Sequence, residues 1–127
     1  MSVNIINKEK RIIELVWSGL VKPEKVEEVN RILYQYAAQL GFDFDLLVDM
    51  REVKAFPQDT KMKIVEHQRL LKSWGMKRAS VAVGGAVAKM QLNRVAKESE
   101  HSTETQWATY EEAYQFLLQP PQQSATA

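Results

Sequence analysis

The sequence contains no cysteine, and this absence excludes disulfide frameworks, thiolate zinc sites and cysteine nucleophiles. No apolar run approaches the ~18 residues that a membrane-spanning helix needs, and residues 1–10 lack the apolar region of a secretory signal. Neither sign of charge dominates, because 17 lysines and arginines are balanced by 16 acidic residues. We therefore expect a cytoplasmic protein with no transmembrane segment and no nucleic-acid partner.

Motifs for catalysis and for cofactor binding are also scarce. Gly84 and Gly85 follow a predicted strand, but they lack the GxGxxG and GxxxxGK[ST] spacings, so a tight turn is favoured over a nucleotide loop. The two histidines, His67 and His101, are far apart, and neither an HExxH motif nor a carboxylate cluster accompanies them. We predict no metal, no cofactor and no enzymatic activity.

The first third of the chain predicts a hairpin followed by a helix. Val3 to Ile6 and Ile12 to Trp17 are β-rich runs, and the polar residues 7–10 between them predict an antiparallel turn. Pro23 begins an amphipathic stretch that Gly41 ends, which predicts a helix between these two residues. The domain is thus predicted to open with an edge strand.

The rest of the chain alternates predicted strands and helices. In order these are a central strand over 44–50 that is buried mostly on one face, a helix from Pro57, a strand over 78–83, a helix over 87–96, a strand over 105–108 and a helix capped by Thr109 and Glu112. Residues 119–127 are predicted to form a disordered tail. Residues 1–118 therefore predict one α/β domain with a mixed, mostly parallel five-stranded sheet, about four helices and the order β-β-α-β-α-β-α-β-α.

The predicted connections also indicate which face of the sheet carries helices. If neighbouring parallel strands follow chain order, right-handed crossovers place every crossover helix on the same face. The small residues Ser80 and Ala82 alternate with Ala79, Val81 and Val83, which fits a second face that is thinly covered or packed against another chain. We therefore expect that face to lack helices and to be open to a second copy or a ligand.

Four short motifs occur in an order that resembles a known family. They are Trp17-Ser18-Gly19, Leu47 to Val53, Lys77 to Val83, and Trp107 followed by Glu111-Glu112-Ala113 and Phe116-Leu117. Together they resemble the SpoIIAA-like family of the STAS superfamily over about residues 3–118. The resemblance implies a STAS-type domain, related in architecture to anti-sigma factor antagonists and to Sec14-type lipid-binding domains, whose usual role is protein contact.

The chain departs from this family at the site of regulation. Antagonist members carry an Asp-Ser-Ser-Gly sequence after the central strand, and a partner kinase phosphorylates one of its serines. Here Gln58 or Asp59 stands at that position, and Gln58 cannot accept a phosphate. Thr60 is the only hydroxyl nearby, and its two interpretations are a phosphorylation switch and a plain helix-start residue. The kinase-regulated role is therefore not carried over.

The candidate site combines residues at the carboxyl ends of the predicted strands with residues at the position where antagonists carry the phosphorylated serine. Its members are Asp49, Arg51, Gln58, Thr60, Gly84 and Gly85. The favoured function is a non-catalytic interaction module with an unidentified protein partner, as a homodimer. One alternative is a carrier of a lipid or another small molecule, and the other is a small enzyme using Asp49 and Arg51. The plain interpretation of these two residues is a carboxylate bonded to a loop and a solvated guanidinium.

Overall fold

A five-stranded mixed sheet and three helices form the part of the protein that the computed structural model describes, residues 1–84 and 104–120. The strands are β1 (Ser2–Asn7), β2 (Ile12–Leu20), β3 (Phe44–Ala55), β4 (Met76–Ala82) and β5 (Glu104–Trp107). The helices are α1 (Pro23–Gln39), α2 (Gln58–Ser73) and α3 (Tyr110–Leu118). The α/β class predicted from the sequence is confirmed.

The strands lie side by side in chain order, with β3 at the centre. β1 and β2 form the predicted antiparallel hairpin, in which Val3 faces Leu15 and Ile5 faces Ile13. The pairs β2 with β3, β3 with β4, and β4 with β5 are parallel. The four strands β2 to β5 therefore all end at one edge of the sheet, the carboxyl edge, and begin at the opposite, amino edge.

Helix α1 begins and ends where the sequence predicted. Pro23 is its first residue, and Gly41, with φ +72°, follows its end. The N–H of Gly41 donates to the carbonyl of Ala38 at 3.0 Å, and the N–H of Phe42 donates to that of Ala37 at 2.8 Å. This pair of bonds is a Schellman motif, which satisfies carbonyls at the helix end. The buried stripe of the helix is Val26, Val29, Leu33 and Ala37.

Helices cover both faces of the sheet, so the prediction that one face lacks helices is wrong. α1 and α2 pack on one face, while α3 packs Ala113 and Leu117 against Ile12, Leu47 and Ala82 on the other. The handedness rule applies to a connection between two parallel strands, and α3 follows the last strand, so the rule does not place it. The small residues that suggested thin cover instead let α3 approach closely, and the Ser80 hydroxyl donates to the Ala113 carbonyl at 2.7 Å.

The central strand is buried on both faces rather than mostly on one. All seven residues from Phe44 to Met50 are buried. Leu46 belongs to the core beneath α1 and α2, whereas Leu47 belongs to the core beneath α3. The one-sided prediction was wrong for the same reason as before, since α3 covers the face that was expected to be open.

Several predictions fall on parts of the chain outside the two described ranges. These are the helix over 87–96, Gly85, His101 and residues 121–127. Gln119 and Pro120, which open the predicted tail, are exposed. Within residues 1–84 and 104–120, no helix is both long enough and apolar enough to cross a membrane.

Candidate functional site

Three of the candidate residues, Asp49, Arg51 and Gly84, lie together near the carboxyl edge. Asp49 is paired with Ala82 of β4, and Arg51 follows on the same face of β3 because side chains alternate along a strand. Gly84 follows the end of β4 with φ +76°, and a Cβ atom at this position would lie 3.3 Å from Cα of Arg51. Glycine thus allows the chain after β4 to pass directly beside Arg51.

Asp49 and Arg51 form a bidentate ion pair. Nε of Arg51 donates to Oδ1 of Asp49 at 2.9 Å, and Nη2 donates to Oδ2 at 2.8 Å. The backbone N–H of Arg51 adds a third bond to Oδ1 at 3.1 Å. The side-chain hydrogen bond from Arg51 lowers the pKa of Asp49, although burial opposes the shift. Asp49 is therefore an ionised anchor that fixes the direction of the guanidinium.

Arg51 is also held from the side by α3. Its Cζ atom lies 5.2 Å from the ring centroid of Tyr110, which is a cation–π distance, and the Tyr110 hydroxyl donates to Oε2 of Glu14 on β2. Burial, and then the adjacent Glu14 carboxylate, raise the pKa of Tyr110 well above its usual range. The tyrosine therefore stays protonated and keeps its bond to Glu14.

Sequence reasoning did not include Tyr110 and Glu14 in this site. The predicted cap at Thr109 could have pointed to Tyr110. A helix that starts directly after the last strand begins at the carboxyl edge, close to the strand ends. Thr109 does cap α3, and its Oγ1 accepts from the N–H of Glu112 at 3.1 Å. The missing information was the face of the sheet on which α3 packs.

The arrangement favours recognition of a charged group over bond chemistry. Both oxygens of Asp49 accept bonds from Arg51, so this carboxylate is not placed as a free general base. The Arg51 side chain is 47% exposed although Asp49 is nearly buried. Among the described residues, no acceptor bonds to Nη1 of Arg51. The site therefore presents one oriented cation, with an aromatic ring beneath it, to the solvent.

Gln58 and Thr60 do not join this cluster. Both lie in the first turn of α2, where Gln58 is exposed. Thr60 is fully buried, and its hydroxyl donates to the carbonyl of Val21 at 2.7 Å. A kinase cannot reach this hydroxyl in the folded domain, so the structure favours the helix-start interpretation of Thr60 over the phosphorylation switch.

A small cavity lies between α2 and the sheet. Its volume is about 50 Å³, a third of the ~150 Å³ of a cavity that binds benzene. The described lining includes Trp17, Met50, Phe56, Leu71, Val81, His67, Gln68 and Glu104. Oε1 of Gln68 is buried and has no hydrogen-bond partner among the residues that the structure describes. A void of this size does not hold an acyl chain, so it gives the lipid-carrier alternative no support.

Two titratable side chains in this cavity have opposite shifts. His67 is 4% exposed, with Nδ1 against Oδ1 of Asn30, and burial lowers its pKa to about 4. Burial raises the pKa of Glu104 to about 7, although the hydrogen bond from Gln106 opposes the shift. Both side chains therefore favour their neutral forms in the folded protein. His67 is thus a buried side chain that contacts Asn30.

These shifts predict opposite effects of pH on stability. As pH falls from 6.5 towards 4, unfolded His67 binds a proton that the folded side chain does not, so stability is lost. As pH rises from 4.5 towards 7, unfolded Glu104 releases a proton that the folded side chain keeps, so stability is again lost.

Each effect is removed by replacing its side chain with glutamine. In His67→Gln the free energy of unfolding should fall more steeply with rising pH than in wild type, because only the Glu104 effect is left. In Glu104→Gln it should rise more steeply with rising pH than in wild type, because only the His67 effect is left. Urea titrations between pH 4 and 7 measure both slopes, and parallel curves for all three proteins contradict this prediction.

Comparisons with known proteins add no family assignment. No protein-family model matches the chain, and no curated protein matches it. In residues 1–84 and 104–120, no group of three or more histidine, aspartate or glutamate side chains is placed to hold a metal ion.

Proposed function

We propose that the chain is a non-catalytic protein-interaction module of the SpoIIAA-like, STAS type, which contacts an acidic surface of a protein partner through Arg51. The observation that carries this proposal is the fixed guanidinium, bound by Asp49 and stacked on Tyr110. Arginine and tyrosine are enriched among the residues that dominate binding energy at interfaces. A guanidinium that is already oriented loses little conformational freedom when it binds a carboxylate.

The proposal does not include control by a kinase. Gln58 or Asp59 stands where antagonists of this superfamily carry a phosphorylated serine, and the nearby Thr60 hydroxyl is buried. Binding is therefore expected to be constitutive, with its affinity set by the complementary charge of the partner. The domain also binds a second copy of itself in this proposal, and light scattering over a dilution series tests that part independently.

Replacing Arg51 with glutamine is expected to weaken partner binding by about 10- to 100-fold, as loss of a central arginine does at other interfaces. Wild type, Arg51→Gln and Lys54→Gln serve as baits in quantitative pull-downs from the source cells, with mass spectrometry of the retained proteins. Lys54 is the matched control because it is an exposed cation on the same strand. A retained protein should be lost with Arg51→Gln and kept with Lys54→Gln.

Two results would contradict the proposal. One is a partner that all three baits retain equally, which would place the contact away from Arg51. The other is the recovery of no protein above the level of empty resin, together with a strictly monomeric wild type in light scattering. Native mass spectrometry of gently purified protein adds a direct test of the carrier alternative, because a bound small molecule would raise the measured mass.

A further inference from the structure

Three aromatic side chains form an exposed cluster at the amino edge, the opposite edge from Arg51. We call Tyr34, Phe42 and Trp74 the aromatic patch. Tyr34 is 47% exposed and Phe42 is 45% exposed, while Trp74 packs partly against the core. The ring of Tyr34 lies 5.3 Å from that of Trp74 in an edge-on arrangement and 5.8 Å from that of Phe42. Exposed aromatic clusters of this kind are uncommon on surfaces that contact only water.

Phe42 occupies its position at a conformational cost. Its φ of +58° lies in the left-handed region, which bulky residues rarely adopt. The bond from its N–H to Ala37 and the close approach of Gly75 to its carbonyl hold it there. An apolar residue at this position is usual after a Schellman motif, but that role requires neither left-handed backbone nor a half-exposed ring. Folding alone therefore does not account for Phe42, and strain of this kind is concentrated at functional sites.

The surroundings of the aromatic patch are positively charged. Residues 67–77, which run from α2 to the start of β4, contain three lysines and arginines and no acidic residue. Arg31 lies one turn before Tyr34 on α1, so the two side chains are neighbours on that helix. Lys72 lies in the last turn of α2, which Trp74 ends, and both cations are exposed. In the described ranges, neither of these cations has a carboxylate oxygen within 4 Å, and Glu27, whose pKa the charge of Arg31 helps to lower, is paired with Lys63 at 2.7 Å. The nearby Asp43 is already paired with Arg11 at 3.1 Å and with Lys77 at 2.8 Å.

We propose that the aromatic patch docks a segment of a partner protein in which acidic residues flank a large apolar side chain. The apolar side chain packs onto the exposed surfaces of Tyr34 and Phe42, and the acidic residues pair with Arg31 and Lys72. The charge pattern favours this occupant over nucleic acid, because two isolated cations do not form a track for successive phosphates. This surface is independent of the Arg51 site, since the two lie at opposite edges of the sheet.

A fluorescence anisotropy titration tests the proposal with a labelled peptide in which glutamates flank Leu-Phe. The full chain should bind this peptide saturably, and Phe42→Asn should weaken binding by about tenfold or more. Asparagine tolerates left-handed backbone, so this variant should unfold at the same temperature as wild type or a higher one. Met62→Asn is the matched control, because Met62 is a 67% exposed apolar residue of α2 outside the patch. Arg31→Gln combined with Lys72→Gln should also weaken binding.

Several outcomes would overturn the proposal. They are no saturable binding below about 1 mM, equal binding to Phe42→Asn, and equal binding of a peptide with lysines in place of the glutamates. Tighter binding of oligothymidylate, or of vesicles containing phosphatidylserine, would assign the aromatic patch to nucleic acid or membrane instead. Arg51→Gln should bind the peptide as wild type does, so failure of the Arg51 proposal and failure of this one give different results.

Discussion

Replacing Gly75 with alanine is expected to lower the free energy of unfolding by about 4 kcal/mol, the largest effect among the four glycines of the described residues. Gly75 has φ +102°, and a Cβ atom at this position would lie 1.7 Å from the carbonyl oxygen of Phe42. That neighbour is backbone, which cannot rotate away as a side chain can. The N–H of Phe44 also donates to the Gly75 carbonyl at 3.2 Å, so relief of the clash would disturb the start of β3.

Gly41 provides the matched control for this substitution. It also has positive φ, +72°, but no atom lies within 4 Å of the position that a Cβ would take. Gly41→Ala should therefore cost only the penalty for left-handed backbone, about 1 kcal/mol. Urea denaturation followed by tryptophan fluorescence measures both variants. An equal decrease in the free energy of unfolding for the two variants would contradict the close contact between Gly75 and the Phe42 carbonyl.

Replacing Arg78 with methionine is expected to lower the free energy of unfolding by about 3 to 4 kcal/mol, because it leaves a buried carboxylate without its partner. Arg78 and Asp45 are neighbours across β3 and β4, and Nη2 of Arg78 donates to Oδ2 of Asp45 at 2.7 Å. Their side chains are only 14% and 10% exposed. Oδ1 of Asp45 is buried and has no hydrogen-bond partner in residues 1–84 and 104–120, so Arg78 is the main group that stabilises its charge there.

Arg78 also fixes the end of α3. Its guanidinium donates to the carbonyls of Leu117 and Gln119 at 3.2 and 3.1 Å and stacks 5.3 Å from the ring centroid of Phe116. Without it, two carbonyls at the helix end lose their donors. Amide hydrogen exchange in α3 should therefore accelerate in Arg78→Met more than exchange in α1 does.

Two further variants separate the buried charge from the lost contacts. Adding Asp45→Asn to Arg78→Met should restore roughly 1 to 2 kcal/mol, because the amide removes the unpaired charge. Arg11→Met breaks the exposed pair with Asp43, whose side chains are 50% and 37% exposed, and should cost less than about 1 kcal/mol. A cost for Arg78→Met as small as that for Arg11→Met would contradict the role assigned to the buried pair.

Local signals in the sequence predicted most of the individual elements. Pro23 and Gly41 bound α1 because proline suits the first turn of a helix and glycine suits the left-handed residue after it. Thr109 caps α3 through the predicted contact with Glu112. The strands were placed with small errors at their ends: β3, for example, runs to Ala55, five residues beyond the predicted Met50. Such errors arise because the end of a strand depends on its neighbours in the sheet.

The candidate site was only partly predictable. The sequence placed Asp49 and Arg51 at the carboxyl end of the central strand, but their ion pair was not predicted because the predicted strand ended at Met50. Thr60 gave no local sign of its burial, which depends on the carbonyl of Val21, 39 residues away in the chain. Membership of the SpoIIAA-like family stays a prediction.

By itself, the sequence determined the α/β class, the hairpin, the bounds of α1 and the capped start of α3. Only the tertiary structure decided that α3 covers the second face, which buries the central strand on both sides and stacks Tyr110 against Arg51. It also decided that Tyr34, Phe42 and Trp74 meet in the aromatic patch. The physical reason is that periodicity and capping act over a few neighbouring residues. The face chosen by a terminal helix, and contacts between separate elements, depend on the packing of the whole domain.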